Sequence, residues 1–333
     1  MQTFEIQERA KALDEARRIR IVKPDQVDFE KYLKANDVGQ KIRDADEFFD
    51  EMKFDLLHPE VETFQTMPWA KTHDGVQYRQ GEVTVYAGGN GGGKSMITGM
   101  IAMGLVKQRQ RVMIASFEMK PKRTLYRMLR QFAGENINAP RYVDKDTYIG
   151  GLLNRFQSFN REHLWLYDQQ GTVTSQQVIA VCRYSAVVLG CSHIFIDSLM
   201  KCVAGEDDYN AQKYFVDELT ALARDHNVHI HLIHHIRKLA NEEIKPSKSD
   251  LKGSGSISDQ VDNVFLMWRN KKKEHDAQSG PVDPLIPDAM LMCEKQRNGE
   301  AEDWYSLWYD KESQQFLEYH DSVPMSFDAG GRF

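Results

Sequence analysis

The chain has little of what would place it outside the cytosol. Its 333 residues include four cysteines, Cys182, Cys191, Cys202 and Cys293, with no C-x-x-C pair and no histidine at zinc spacing. That excludes a disulfide scaffold and a metal knuckle, and predicts reduced, half-buried thiols. No apolar run approaches the ~20 residues of a membrane span. The opening MQTFEIQERAKALDEARR is charged, unlike a secretory leader. A cytoplasmic protein with no membrane partner is expected. Positive charge is not in excess either: 43 Lys and Arg against 49 Asp and Glu leave a net charge of −6. That balance argues against a basic coat for nucleic acid, although a ring that threads a strand needs cations only along its bore, so charge alone decides nothing. There is no internal repeat and no heptad run. With 41% hydrophobic residues, the chain can still fill a large globular core.

What is present centres on GEVTVYAGGNGGGKS, residues 81–95. An alternating strand, Glu82 to Ala87, enters a glycine-rich loop of Gly88, Gly89, Asn90, Gly91, Gly92 and Gly93, and Lys94-Ser95 opens an apolar helix that continues to Val106. The spacing G-x-x-x-x-G-K-[ST] is that of a phosphate cradle, in which successive backbone N–H groups and a helix N-terminus surround phosphate oxygens. Lys94 is expected to reach the β and γ phosphates, and Ser95 to hold Mg²⁺. ATP, or another nucleoside or deoxynucleoside triphosphate, with Mg²⁺ is the implied ligand set.

Around this loop the chain divides into three. Residues 1–65 carry short amphipathic helices with too few apolar positions for a core of their own, and read as a helical N-terminal arm or subunit linker. From about residue 66 to 320, strand and helix alternate, the pattern of a mostly parallel α/β sheet. Strands are predicted at Glu82–Ala87, Arg111–Ser116, His163–Tyr167, His193–Asp197 and Val228–His234. Those at Val264–Trp268, Ala289–Cys293, Asp303–Tyr309 and Gln315–Leu317 follow without intervening helices, which implies an antiparallel extension at one sheet edge. Lys238–Gly255 reads as a long polar loop, and Arg269–Pro287 as the stretch expected to be disordered. Residues 321–333 form a C-terminal tail.

Several residues at predicted strand ends could carry chemistry. Asp197 closes HIFID and suits a carboxylate that orients Mg²⁺ and its waters, or alternatively a helix N-cap. Glu118 follows the second strand, placed either to polarise an attacking water or to complement a helix dipole. His234 and His235 end a strand that also holds His229 and His231; a buried, hydrogen-bonded set competes there with metal binding. Lys295 and Arg297, in EKQRNG, read as a solvated hairpin tip or as cations offered to a nucleotide held elsewhere. Lys252, Gly253, Ser254 and Gly255 read as a plain linker or as a loop for nucleic-acid phosphates.

Taken in order, these stretches resemble the hexameric replicative helicase family with a RecA-like core, the DnaB type and its phage and mitochondrial relatives. GGNGGGKS is similar to the family's phosphate loop, SFEMKPKRTLYRML to its S-L-E-M segment, and HIFIDSL to its metal-aspartate strand. LKGSGSISDQVDNVFLMWRN is similar to L-R-G-S-G-A-I-x-Q-x-x-D, and EKQRNG to its K-Q-R-N-G turn. The resemblance covers residues 65 to 318. It implies a RecA-like P-loop ATPase core, with Glu118 as catalytic base, His235 as γ-phosphate sensor, and Lys295 and Arg297 reaching the nucleotide of an adjacent subunit. Lys252 to Gly255 would contact DNA, and Arg269 and Tyr309 would bracket the base. A phage-encoded ATP-dependent helicase is implied, a homo-oligomer forming a hexameric ring on single-stranded DNA at a replication fork and moving 5′ to 3′. The sequence leaves no room for the family's usual N-terminal domain, so primase, polymerase or loader are expected on other chains. The alternative is a recombinase or recombination mediator that uses ATP as a switch.

Overall fold

Parallel strands covered by helices on both faces must be apolar along their length, and β2 (Val83–Gly88) and β5 (His193–Asp197) bury every residue. The computed structural model describes residues 64–327 apart from 140–144, 170, 172, 204–207, 242 and 254, with isolated positions before residue 64. The expected arm, the end of the tail from 328, and Ser254 therefore lie largely or wholly outside the described residues. β1 (Ile21–Val22), β3 (Val112–Ser116), β4 (Leu164–Tyr167), β6 (His229–His235), β7 (Asn263–Arg269), β8 (Ala289–Gln296), β9 (Trp304–Asp310) and β10 (Gln315–Leu317) complete one sheet. Its order is β1-β4-β3-β5-β6-β2-β7-β8-β9-β10.

The strands from β1 to β7 pair in parallel, and β8, β9 and β10 are antiparallel. The expected mixture is present, with two corrections. The strand around Val264–Trp268 belongs to the parallel set, with Thr84 opposite Asn263 and Gly88 opposite Met267. The segment before it contains a short helix, α6 (Ser256–Gln260), and carries the chain back to the starting edge of the sheet. Arg269–Pro287 is not structureless, because it holds α7 (Lys271–Ser279). There the Asn270 side chain accepts the Lys273 N–H at 3.0 Å, and Lys271 pairs with Glu274 one turn on at 3.3 Å. Capping and i,i+3 pairing outweigh the loop-like composition.

Side chains alternate across each strand, so β2 sends Val83, Val85 and Ala87 to one face and Tyr86 to the other. The first face is covered by α4 (Ser175–Val187), α5 (Tyr209–His226) and α6, through residues such as Val178, Leu219 and Ile257. The second is covered by α1 (Lys94–Lys107), α2 (Pro121–Ala133) and α3 (Lys145–Asn160), through Met100, Ile101, Phe132 and Phe156. Helix α1 has almost no exposed side, since the entry segment closes over it: Trp69, fully buried, donates Nε1–H to the Phe316 carbonyl at 2.7 Å. All four thiols are at most 2% exposed, more buried than expected because they face the two cores.

Histidines 193, 229 and 231 lie in the second core. Nδ1–H of His229 donates to the Arg79 carbonyl at 2.6 Å and its Nε2 accepts from Thr84 Oγ1 at 2.8 Å. His193 Nδ1 and His231 Nε2 are 3.1 Å apart, and the His231 ring stacks on Phe195 with centroids 4.0 Å apart. Among the described residues, no group of three His, Cys, Asp or Glu could hold a metal ion, and these three imidazoles each take part in a hydrogen bond. Burial lowers His229 to about 4 and pushes His193 and His231 well below the ordinary imidazole range. Groups that stay neutral when folded but take up protons when unfolded give stability that is complete above about pH 6.5 and is withdrawn as pH falls towards 4. The unfolding free energy should fall between pH 7 and pH 5 by about 2 kcal/mol for each such imidazole. Urea titrations at the two pH values measure this, and an unchanged midpoint would contradict it.

Candidate nucleotide site at the sheet edge

Open α/β sheets bind ligands beyond the carboxyl ends of their strands, and here β2, β3, β5 and β6 bring their site residues to that edge. The loop leaving β2 keeps Gly91 at φ +70° and Gly93 at φ +88°. A Cβ on Gly93 would stand 2.9 Å from the Phe316 ring, and one on Gly88 2.7 Å from the Met267 carbonyl. Backbone amides therefore line the loop from Gly88 through Gly89, Asn90, Gly91 and Gly92 to Gly93, as phosphate binding requires. Lys94 is buried and donates Nζ–H to the carbonyls of Gly88 at 2.9 Å and Gly89 at 3.0 Å. Burial lowers its pKa, against the opposing pull of Asp197 and Glu118.

Ser95 Oγ donates to Asp197 Oδ2 at 3.0 Å. Asp197 is not an N-cap, because the turn Leu199–Lys201 is preceded by Ser198 and has no side-chain cap. Glu118 is not a helix acid either, since α2 follows Lys120 and has no acid in its first turn. Its Oε1 accepts from Ser198 Oγ at 2.8 Å and lies 3.5 Å from His235 Nε2. The two carboxylates are displaced in opposite directions. Contact with His235, supported by Ser198 and the charge of Lys94, outweighs partial burial and holds Glu118 down at about 2. Burial, reinforced by Glu118, raises Asp197. A pair divided in this way marks a site with two distinct charge roles. A serine hydroxyl backed by a carboxylate suits Mg²⁺, which keeps several waters and takes further oxygens from phosphates.

Beside the loop, the Arg269 guanidinium lies 5.6 Å from the centroid of the Tyr309 ring and donates Nη1–H to the Gly91 carbonyl at 3.1 Å. A groove runs from Gly89, Asn90 and Gly92 to Lys252, Gly253 and Gly255, and Gly253 has φ +98°, so this segment is a shaped turn. Lys295 and Arg297 do not join the site. Lys295 lies within β8, which extends past the predicted end at Cys293, and Gln296 pairs with Asn263 at the starting edge of the sheet. Arg269 pairs with Ala289 at the opposite end of the same two strands, so the cations stand roughly 20 Å from the loop at ~3.3 Å per residue.

Two further residues of the cleft are Ser198, the partner of Glu118, and Arg127, which lines it with Ser95 and Asp197. The available signal for Arg127 is its spacing, i+3 from Thr124 and i−4 from Gln131, both buried on the inward face of α2.

A strand, a glycine loop and a helix at the carboxyl edge of a parallel sheet with this order define the RecA-like class of P-loop nucleotide-binding domains. The sequence profile of the DnaB-like helicase C terminal domain matches residues 70–318, and the chain belongs to that family. It is 24% identical over 226 residues to a DNA helicase/primase of Enterobacteria phage T3, covering 65% of this chain and 39% of that protein. The chain thus spans about two fifths of that relative's length. Its fold is similar to a solved ATPase domain, with a TM-score of 0.70 and 16% identity over 83% of this chain and 99% of that one. It is also similar to a DnaB-like replicative helicase studied with regard to its interactions with primase, with a TM-score of 0.66 and 17% identity over 83% and 67% of the two chains.

Glu118→Gln should lower nucleotide turnover by about 10²–10⁴-fold with nucleotide affinity retained; turnover at the normal rate would remove Glu118 from the reaction. Gly93→Ala should abolish nucleotide binding in a calorimetric titration, because the new methyl group meets Phe316 at a backbone angle that disfavours side chains.

Proposed function

We propose that the chain is a ring-forming, Mg²⁺-dependent ATPase that moves along single-stranded DNA and separates the duplex, 5′ to 3′ as in its family. The observation that carries this reading is the separation of two half-sites. The phosphate loop, Ser95, Asp197 and Glu118 occupy one edge of the sheet, and the cations of the family's K-Q-R-N-G turn occupy the other. One subunit alone cannot bring them together, whereas neighbours in a closed ring can. The exposed apolar residues Phe49, Met52, Leu56 and Leu57 of the arm give such neighbours a surface to hold.

In each cleft the loop amides and Lys94 would hold the phosphates, and Ser95 with Asp197 would hold Mg²⁺, which would neutralise charge on the phosphates. A Glu118 carboxylate held near 2 is a weak proton acceptor but a permanent charge, so its part is to orient and polarise the attacking water. His235 bridges Glu118 and the γ-phosphate position. Arg297 and Lys295 from the next subunit stabilise charge on the transferred group, a contribution worth about 10³–10⁵ in rate where such a residue operates. Arg269 and Tyr309 hold the base, and Lys252, Gly253, Ser254 and Gly255 contact DNA phosphates. Primase, polymerase or a loader are the expected partners at a fork.

Single-stranded DNA should stimulate ATP turnover several-fold, and micrographs should contain closed rings; open filaments would favour a strand-exchange protein instead. Arg297→Ala and Glu118→Gln subunits should each be nearly inactive alone. Mixed before assembly, they should regain turnover, because some interfaces then pair an intact Glu118 with an intact Arg297. Hybrids as inactive as their parents would exclude a site shared between subunits.

A further inference from the structure

Within their own chain Lys295 and Arg297 are anchored, and the anchor is one short segment. Lys295 Nζ donates to the carbonyls of Ser258, Asp259 and Val261 at 2.7, 3.1 and 2.8 Å. Arg297 Nη2 donates to the Asp259 and Gln260 carbonyls at 3.0 and 3.3 Å. These are the carbonyls at the end of α6, which have no partner within the helix and carry its partial negative charge. Beside them stands Asp262, 3% exposed. Its Oδ1 lies 3.1 Å from Arg297 Nη1 and 3.7 Å from Arg224 Nη2. Its Oδ2 accepts the Val83 N–H at 2.9 Å, its N–H donates to the Val83 carbonyl at 3.0 Å, and its carbonyl accepts the Arg297 N–H at 2.9 Å.

Asp262 is therefore bolted to the first residue of β2 by two hydrogen bonds while its carboxylate faces the guanidinium. These contacts can occupy three of the five guanidinium N–H donors of Arg297. A free arginine on a hairpin samples many rotamers, whereas a cation that stabilises a developing charge must be held in place beforehand. The other end of the same segment is also tied. The Lys252 N–H donates to the His235 carbonyl at 2.9 Å, and His234 Nε2–H donates to the Lys252 carbonyl. Lys252 is thus tied to β6, and the end of α6 to the two cations.

We propose that Asp262 is the positioning residue for Arg297, holding its guanidinium against the carboxyl end of α6. This rests on the reading that Arg297 serves the neighbouring nucleotide. Asp262 touches neither nucleotide nor DNA and acts only through the guanidinium it holds.

A double-mutant cycle on the full chain tests this. Asp262→Asn keeps an oxygen for the Val83 N–H but removes the charge facing Arg297. In the wild-type background it should cut single-stranded-DNA-stimulated kcat by at least about tenfold, with KM for ATP and affinity for a labelled oligothymidine within about twofold. In an Arg297→Ala background, whose residual turnover is read with radiolabelled ATP at high enzyme concentration, it should cause no further loss, because the partner through which it acts is gone. An equal loss in both backgrounds, or none in the wild type, overturns the proposal. Thermal melting confirms folding, and should Asp262→Asn fail to fold, Asp262→Glu carries the same cycle. Wild-type turnover that ignores single-stranded DNA would overturn the proposed function, whereas a stimulated wild type matched by Asp262→Asn overturns only the positioning role.

Discussion

Parallel strand pairing is the constraint on which the molecule depends. Adjacent parallel strands place all their carboxyl ends on one edge, and β2, β3, β5 and β6 therefore bring Gly88, Glu118, Asp197 and His235 together although up to about 150 residues separate them. The antiparallel β8 inverts the relation. It starts beside Arg269, at the phosphate-loop end, and delivers Lys295 to the opposite edge. One sheet thus produces a cleft and, a strand length away, a pair of cations that cannot enter it.

The electrostatics of the cleft follow from its layering. Asp197 ends a fully buried strand, where low dielectric favours the neutral acid, and the Ser95 hydroxyl and Lys94 oppose that tendency. Glu118 stands one step further out, where Ser198 and His235 can reach it, and stays charged. Both positions follow from where β3 and β5 end. The neutral histidines near the starting edge obey the same rule, since burial outweighs the opposing pull of Asp262 on His229, and so they contribute acid sensitivity to the core.

Much of this can be read from the order of residues. The glycine loop with Lys94-Ser95, the buried runs ending at Asp197 and His235, and the K-Q-R-N-G turn are local patterns whose spacing reflects local geometry. Elsewhere local sequence is silent or misleading. The Lys-rich stretch after Arg269 reads as structureless, but Asn270 and Glu274 cap and brace a helix there. The strand at Val264 reads as antiparallel because no ordinary crossover helix precedes it, yet the five residues of α6 and the loop before it reverse the path. The pairing of Ser198 with Glu118 and the placing of Arg127 in the cleft arise only when β3, β5 and α2 meet.

The sequence by itself determined the phosphate loop, the class of fold and the identities of the charged residues, since backbone amides, glycine conformations and buried-strand periodicity are properties of short stretches. Tertiary structure alone decided which of those charges meet. Glu118 faces Ser198 and His235, Asp262 grips Arg297 against the end of α6, and Arg297 stands a strand length from its own phosphate loop. Each of those distances is set by strand order and register, which join residues that the chain itself keeps far apart.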